Sequence, residues 1–206
     1  MENPAITVTA QSISKSFGPA KVFEGISFSL GTGESIAVTG PNGSGKSTLC
    51  EIGAGIRRPT GGSIEYSLNG QPLSGDGLLS VIGIASPRIN PYEALSGMEN
   101  VEFAARSRGI DPSSALPLFE SFGLNRHHGK ALRHYSSGMR QRLKFILAVL
   151  HRPSLLILDE PGSNLDSEGR RQLAAYLDSL RARTAIIIAT NDAEEARLCT
   201  GAVRLA

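Results

Sequence analysis

Tryptophan is missing from this chain, aromatic residues make up only 5% of it, and there are just two cysteines, Cys50 and Cys199. The two thiols lie far apart with no metal-type spacing, so they read as small buried residues in a reducing compartment. Long apolar runs are also missing. The longest, LLIL at 155–158 and AIII at 185–188, fall well short of the roughly 20 residues that span a bilayer. The expectation is a soluble chain, one still able to dock onto a membrane protein. The opening stretch MENPAITVTA has neither the basic start nor the apolar core of a signal peptide, so export by that route is not expected. No charge of one sign dominates: 21 Lys and Arg against 19 Asp and Glu leave a net +2. Such a balance gives no field that would select nucleic acid as a partner.

What is present is 206 residues, 40% of them hydrophobic, enough for one core-bearing domain with a subdivided architecture. Apolar segments bounded by Gly, Asn and Pro predict strands near 6–10, 22–30, 34–40, 63–68, 81–85, 155–159, 184–190 and 202–205. Helical periodicity predicts helices over 46–56, 97–108, 113–122, 138–151, 167–182 and 192–198. Strands dominate early, and strand alternates with helix later. That order predicts an α/β fold with an antiparallel β subdomain attached near the N-terminus. Residues from about 87 to 135 carry helices and few strand signals, so a helical subdomain is set at about 87–150 within a single domain 1–206.

The strongest local signal is GPNGSGKST at 40–48, which follows the strand pattern ESIAVTG and opens a helix. Gly40, Pro41, Asn42, Gly43, Ser44 and Gly45 form a glycine-rich loop whose backbone N–H groups can turn onto phosphate oxygens, helped by the helix dipole. Lys46 is placed for the β and γ phosphates, Ser47 for Mg²⁺, and Thr48 for the α-phosphate side. A triphosphate is the natural guest.

A second signal is SLLILDEPGSNLD at 154–166, an apolar run ending in two carboxylates. It suits a buried parallel strand opening at a ligand crevice. Asp159 is the candidate metal holder and Glu160 the candidate base for a water attacking the γ-phosphate. Taken alone, the same acids also read as helix-capping groups at a strand tip. A third signal, HYSSGMRQRLKFILAVLHRP at 134–153, puts Ser136, Ser137 and Gly138 at a helix N-terminus. That is either a second phosphate-binding surface or an ordinary capped helix with Arg140, Arg142 and Lys144 in solvent.

Taken together and in this order, the segments resemble the nucleotide-binding subunit of ABC (ATP-binding cassette) transporters, a P-loop NTPase family. GPNGSGKST is similar to its Walker A, LLILDEP to its Walker B, YSSGMRQR to a variant of its signature, and SNLD to its D-loop. The resemblance covers nearly the whole chain. It implies an ATPase using ATP and Mg²⁺, working as a dimer with a second cassette so that ATP lies between one Walker A and the other's signature. It also implies separately encoded transmembrane subunits and a place on the inner face of the cell membrane. Phe17 falls where the family stacks an aromatic on adenine; spacing alone equally allows a core phenylalanine.

Two positions depart from the pattern. Where the family has a glutamine after the strand ending GIA, this chain has Ser86 and Pro87. Only Ser86 carries a usable polar side chain, and it is expected to reach the metal through water. Where the family has the switch histidine, this chain has Asn191, which donates an N–H but carries no charge. Slower hydrolysis is the expectation, with helix capping as the alternative role of Asn191. His127, His128, His134 and His151 read as surface or capping residues of the helical region. Competing functions are an ATP-driven dimerisation switch without transport, and a kinase or GTPase; the latter lacks an N-K-x-D motif and leaves YSSGM and SNLD without a role.

Overall fold

The computed structural model describes residues 4–206, so Met1, Glu2 and Asn3 of the N-terminal stretch lie outside it. Two sheets share the chain. An antiparallel sheet has the order β2-β1-β4-β5, built from β1 (Ile6–Phe17), β2 (Ala20–Gly31), β4 (Gly61–Leu68) and β5 (Gln71–Pro72). A parallel sheet has the order β6-β7-β8-β3-β9, built from β6 (Ile82–Ala85), β7 (Leu155–Asp159), β8 (Ala185–Ala189), β3 (Ser35–Thr39) and β9 (Gly201–Arg204). Every residue of β7 and β8 is buried, as expected for central parallel strands covered on both faces.

Helix α1 (Lys46–Gly53) lies between the two sheets. A Cβ on Gly53 would touch Ile157 and Ile187 of the parallel sheet, while Tyr66 of β4 donates its hydroxyl to the carbonyls of Ile52 and Gly53. Leu49 and Ile52 therefore belong to one core with Val8, Ile13, Leu30, Ile157 and Ile187. A second core packs the other face of the parallel sheet against the helical segment, joining Phe119, Phe122, Phe145 and Ile146 to Leu156, Leu158 and Ile188.

That segment holds α3 (Gly97–Arg106), α4 (Leu116–Ser121) and α5 (Ser137–Val149); α6 (Ser167–Leu180) and α7 (Ala193–Arg197) follow it. Helix α3 opens on a capping box: Ser96 Oγ accepts from the Glu99 N–H, and Glu99 Oε2 accepts from the Ser96 N–H. The chain also forms α2 (Gly75–Val81) and the short β5, neither of which the apolar patterns predict. SGDGLLS carries two glycines and only one buried apolar residue, Leu78, so its periodicity is too faint to read. Strand β1 runs on to Phe17 through bulges after Ala10, where sequence alternation stops. The segment 113–122 splits into a 3₁₀ turn, Pro112–Ala115, and α4.

Candidate active site

The loop 40–45 leaves the buried strand β3 and turns into α1. Gly45 is the N-cap of α1 with φ 96°, and a Cβ there would fall 2.4 Å from Val22 Cγ1, so both backbone and neighbour require glycine. Lys46, 6% exposed, donates to the carbonyls of Gly40 at 2.8 Å and Pro41 at 3.1 Å. Its ammonium is 4.0 Å from Glu160 Oε1. Thr48 is buried and Ser47 partly so in the first turn of the helix, and Ser44 Oγ is buried without a partner.

Asp159 and Glu160 stand at the C-terminal tip of β7. Asp159 is 1% exposed; its Oδ2 accepts from Ser86 Oγ at 3.3 Å while Oδ1 has no hydrogen-bond partner. A buried, unpaired carboxylate oxygen beside the loop fits a divalent cation, with Ser47 as the other candidate ligand. Glu160 holds a left-handed backbone, φ 52°, with its N–H bonded to Ala189 O at 2.8 Å. A non-glycine residue held there is strained, and such strain gathers at functional sites. Burial raises the Glu160 carboxyl above the usual glutamate range; Lys46 pulls it down, and Asp159 and Glu195 push it up. It is not a capping acid, because Asp166 caps α6, accepting from the Gly169 N–H.

Thr190 and Asn191 follow β8, which lies between β7 and β3. Asn191 is exposed and its Nδ2 donates to Asn42 Oδ1 in the loop. Asn191 does not cap the following helix. Asp192 does, accepting from the Glu194 N–H at 2.8 Å. Buried Thr190 donates to buried Glu195 at 2.5 Å, which fastens this tip to α7.

Phe17 is not a core residue: it is 47% exposed, with Lys15 Nζ 5.2 Å and Arg57 Cζ 5.1 Å from its ring centroid. At the start of α5, Ser136 accepts from the Met139 N–H and is exposed with Ser137; Gly138 follows. The basic residues after them are engaged rather than simply solvated. Arg140 pairs with Glu93, Arg142 pairs with Asp166 at 2.6 Å, and Lys144 donates to the carbonyls of Ser86 and Pro87. Sequence reading missed these partners, together with the Ser86 to Asp159 contact, because each joins segments distant in the chain. His151, expected as a surface or capping residue, is half-buried with its Nε2 2.9 Å from Ile82 O.

The structure thus gathers Lys46, Asp159, Glu160, Asn42 and Asn191 along the C-terminal edge of the parallel sheet. It sets Phe17 at the end of β1, and Ser136, Ser137 and Gly138 on a separate exposed helix start. The family model described as "ABC transporter" matches residues 23–163, more than half of the chain. The chain belongs to the ABC transporter family. Within it, this cassette is 32% identical over 172 residues to the lantibiotic transport ATP-binding protein SrtF of Streptococcus pyogenes; the match takes in 83% of this chain and 73% of that one. It also superposes on a solved ATP-binding subunit of an ABC transporter with a TM-score of 0.82 at 30% identity, covering 96% of this chain and 85% of that one. A bacterial ABC transporter cassette solved as a dimer gives a TM-score of 0.85 at 22% identity, covering 96% and 94%, and speaks for the fold alone. The cassette is therefore an ATP-binding ATPase subunit of the transporter type. No helix among its described residues is long and apolar enough to cross a membrane.

Proposed function

We propose that the cassette hydrolyses ATP at the edge formed by β3, β8 and β7, and that 1–206 acts as one unit with its helical part at about 87–150. The observation that carries this reading is the meeting of Lys46 with strained, half-buried Glu160 at 4.0 Å, beside the unpaired oxygen of Asp159. The loop N–H groups and Lys46 hold the phosphates, Phe17 takes the adenine face, and Glu160 accepts the proton of the attacking water. Ser47 and Asp159 hold Mg²⁺, which when bound offsets phosphate charge. Asn191 donates an N–H toward the γ-phosphate.

Ser136, Ser137 and Gly138 complete the site of a second cassette, as their exposure at a helix N-terminus allows. Closure of the pair is delivered to separately encoded transmembrane subunits, which place the protein at the cytoplasmic face of the membrane. The relative SrtF is named for lantibiotic transport, so peptide cargo is the first class to assay. One observation favours a second reading, a slow ATP-driven dimerisation switch without transport: the neutral amide at 191.

The test is a pair of variants. Lys46→Ala is expected to lower ATP affinity at least a hundredfold in a fluorescent-nucleotide titration, and unchanged affinity would remove the phosphate assignment. Glu160→Gln is expected to keep ATP binding, lose turnover by at least a hundredfold, and elute as an ATP-dependent dimer. Normal turnover in that variant rules out Glu160 as base.

A further inference from the structure

We propose that Lys144, Ser86 and Asp159 form one positioning chain that presents a fixed carboxylate oxygen to the metal, with Ser86 acting through Asp159 rather than on the metal itself. The inference rests on the site reading above, in which Asp159 is a metal ligand. It starts from strand register. Ala85 of β6 pairs with Leu158 of β7, so the next residues, Ser86 just past β6 and Asp159 at the end of β7, stand side by side.

Ser86 is 5% exposed and held at several points. Its carbonyl accepts from the Ile89 N–H at 3.1 Å and from Lys144 Nζ at 3.3 Å, and Lys144 also reaches Pro87 O at 3.5 Å. Its hydroxyl oxygen accepts from the Arg88 N–H at 3.3 Å. A hydroxyl has a single proton, and with the Arg88 N–H occupying a lone-pair direction that proton is directed to Asp159 Oδ2. The two oxygens of Asp159 are thereby made unequal: Oδ2 is satisfied inside the protein, and Oδ1, buried and unpaired, is left for a ligand. Fixing the carboxylate plane in this way raises affinity by removing rotational freedom before the cation arrives.

Lys144 gives the chain its reach. It sits on α5, whose N-terminus carries Ser136, Ser137 and Gly138, so a displacement of that helix acts on the carbonyls of Ser86 and Pro87 and through Ser86 on Asp159. One strap thus joins the surface offered to a second cassette to the metal-binding oxygen.

The test uses the full chain with ADP and Mn²⁺ as probe, read by electron paramagnetic resonance, beside nucleotide affinity measured in EDTA. Ser86→Ala is expected to weaken Mn²⁺ binding about tenfold with metal-free nucleotide affinity unchanged, and Ser86→Thr to restore it. Lys144→Met is expected to weaken it less, and the double variant Ser86→Ala with Lys144→Met no more than Ser86→Ala alone. Wild-type Mn²⁺ affinity in folded Ser86→Ala, or additive losses in the double variant, overturns the proposal. If Ser86→Ala shows no cooperative thermal transition, Ser86→Cys, a weaker donor of similar size, takes its place under the same criterion. Asp159→Asn separates the two levels: if it leaves Mn²⁺ affinity intact, the ligand assignment itself falls, and the positioning chain with it.

Discussion

Asn191 donates to Asn42, and an amide nitrogen has a second N–H to offer a phosphate. What it lacks is charge. A hydrogen bond from a charged donor contributes about 1.5–3 kcal/mol and a neutral one about 1 kcal/mol, so the amide forgoes roughly 0.5–2 kcal/mol in the transition state. Asn191→His is therefore expected to raise the single-turnover rate roughly tenfold, and a rate within twofold of wild type would make the 191 position irrelevant to chemistry. The proposed proton acceptor shows the opposite adjustment. Glu160 titrates above an ordinary glutamate, chiefly through burial, so the acidic limb of the pH profile is expected above the usual glutamate value, near 4.3. These side chains were legible as types at positions, because a glycine loop or a strand-tip carboxylate is a local pattern. Their partners were not. The Asn191 contact with Asn42 spans 149 positions, and it exists only because β8 lies beside β3 in the sheet.

Helix α5 carries two consequences of packing. A Cβ on Gly138 would lie 2.8 Å from Asn164 O, a backbone atom in the SNLD loop held at φ 64°. The glycine is thus required by the cassette's own chain as well as by any phosphate. Gly138→Ala is expected to cost about 1–3 kcal/mol in urea unfolding of the nucleotide-free protein, whereas a purely ligand-facing glycine would leave that stability unchanged. Just past the far end of the helix, burial and the Arg108 charge lower the His151 pKa to about 4, while the Ile82 carbonyl raises it. Folded His151 thus stays neutral where the unfolded residue, with a pKa near 6.5, takes up a proton. Its stabilising effect is complete above pH 6.5 and is lost as pH falls toward 4, a change of at most about 3 kcal/mol. Urea midpoints of wild type and His151→Gln should converge across that interval; parallel curves would rule the histidine out. Elements were read from sequence where period and caps agreed, as at α5 and β7. They were missed where glycine diluted the period, as at α2.

Taken whole, the molecule has a buried sheet edge and a helical part joined to it. The strand tips and the glycine-rich loop rest on buried parallel strands, while Ser136 and Ser137 open a helix tied to that edge through Lys144 and through Gln141, which donates to Pro161 O at 3.2 Å. The fold class was legible because the order of strands and helices is periodic information. How the helical part is strapped to the site was not, since those bonds depend on register across the sheet. Purified in mild detergent from the membranes of the cells that make it, the cassette is expected to co-purify with a multi-span protein in a complex containing two cassettes. Native mass spectrometry checks this, and recovery only in soluble assemblies favours the switch reading.

The strand order β6-β7-β8-β3 makes the sheet edge a ruler. Neighbouring tips stand about 4.8 Å apart, so Gly40, Thr190, Asp159 and Ser86 mark successive graduations outward from the loop. We propose that a polyphosphate held at the loop lies along these marks. On the proposed site reading a triphosphate tail reaches further along these marks than a diphosphate, so the order of the strands itself offers ATP more partners than ADP.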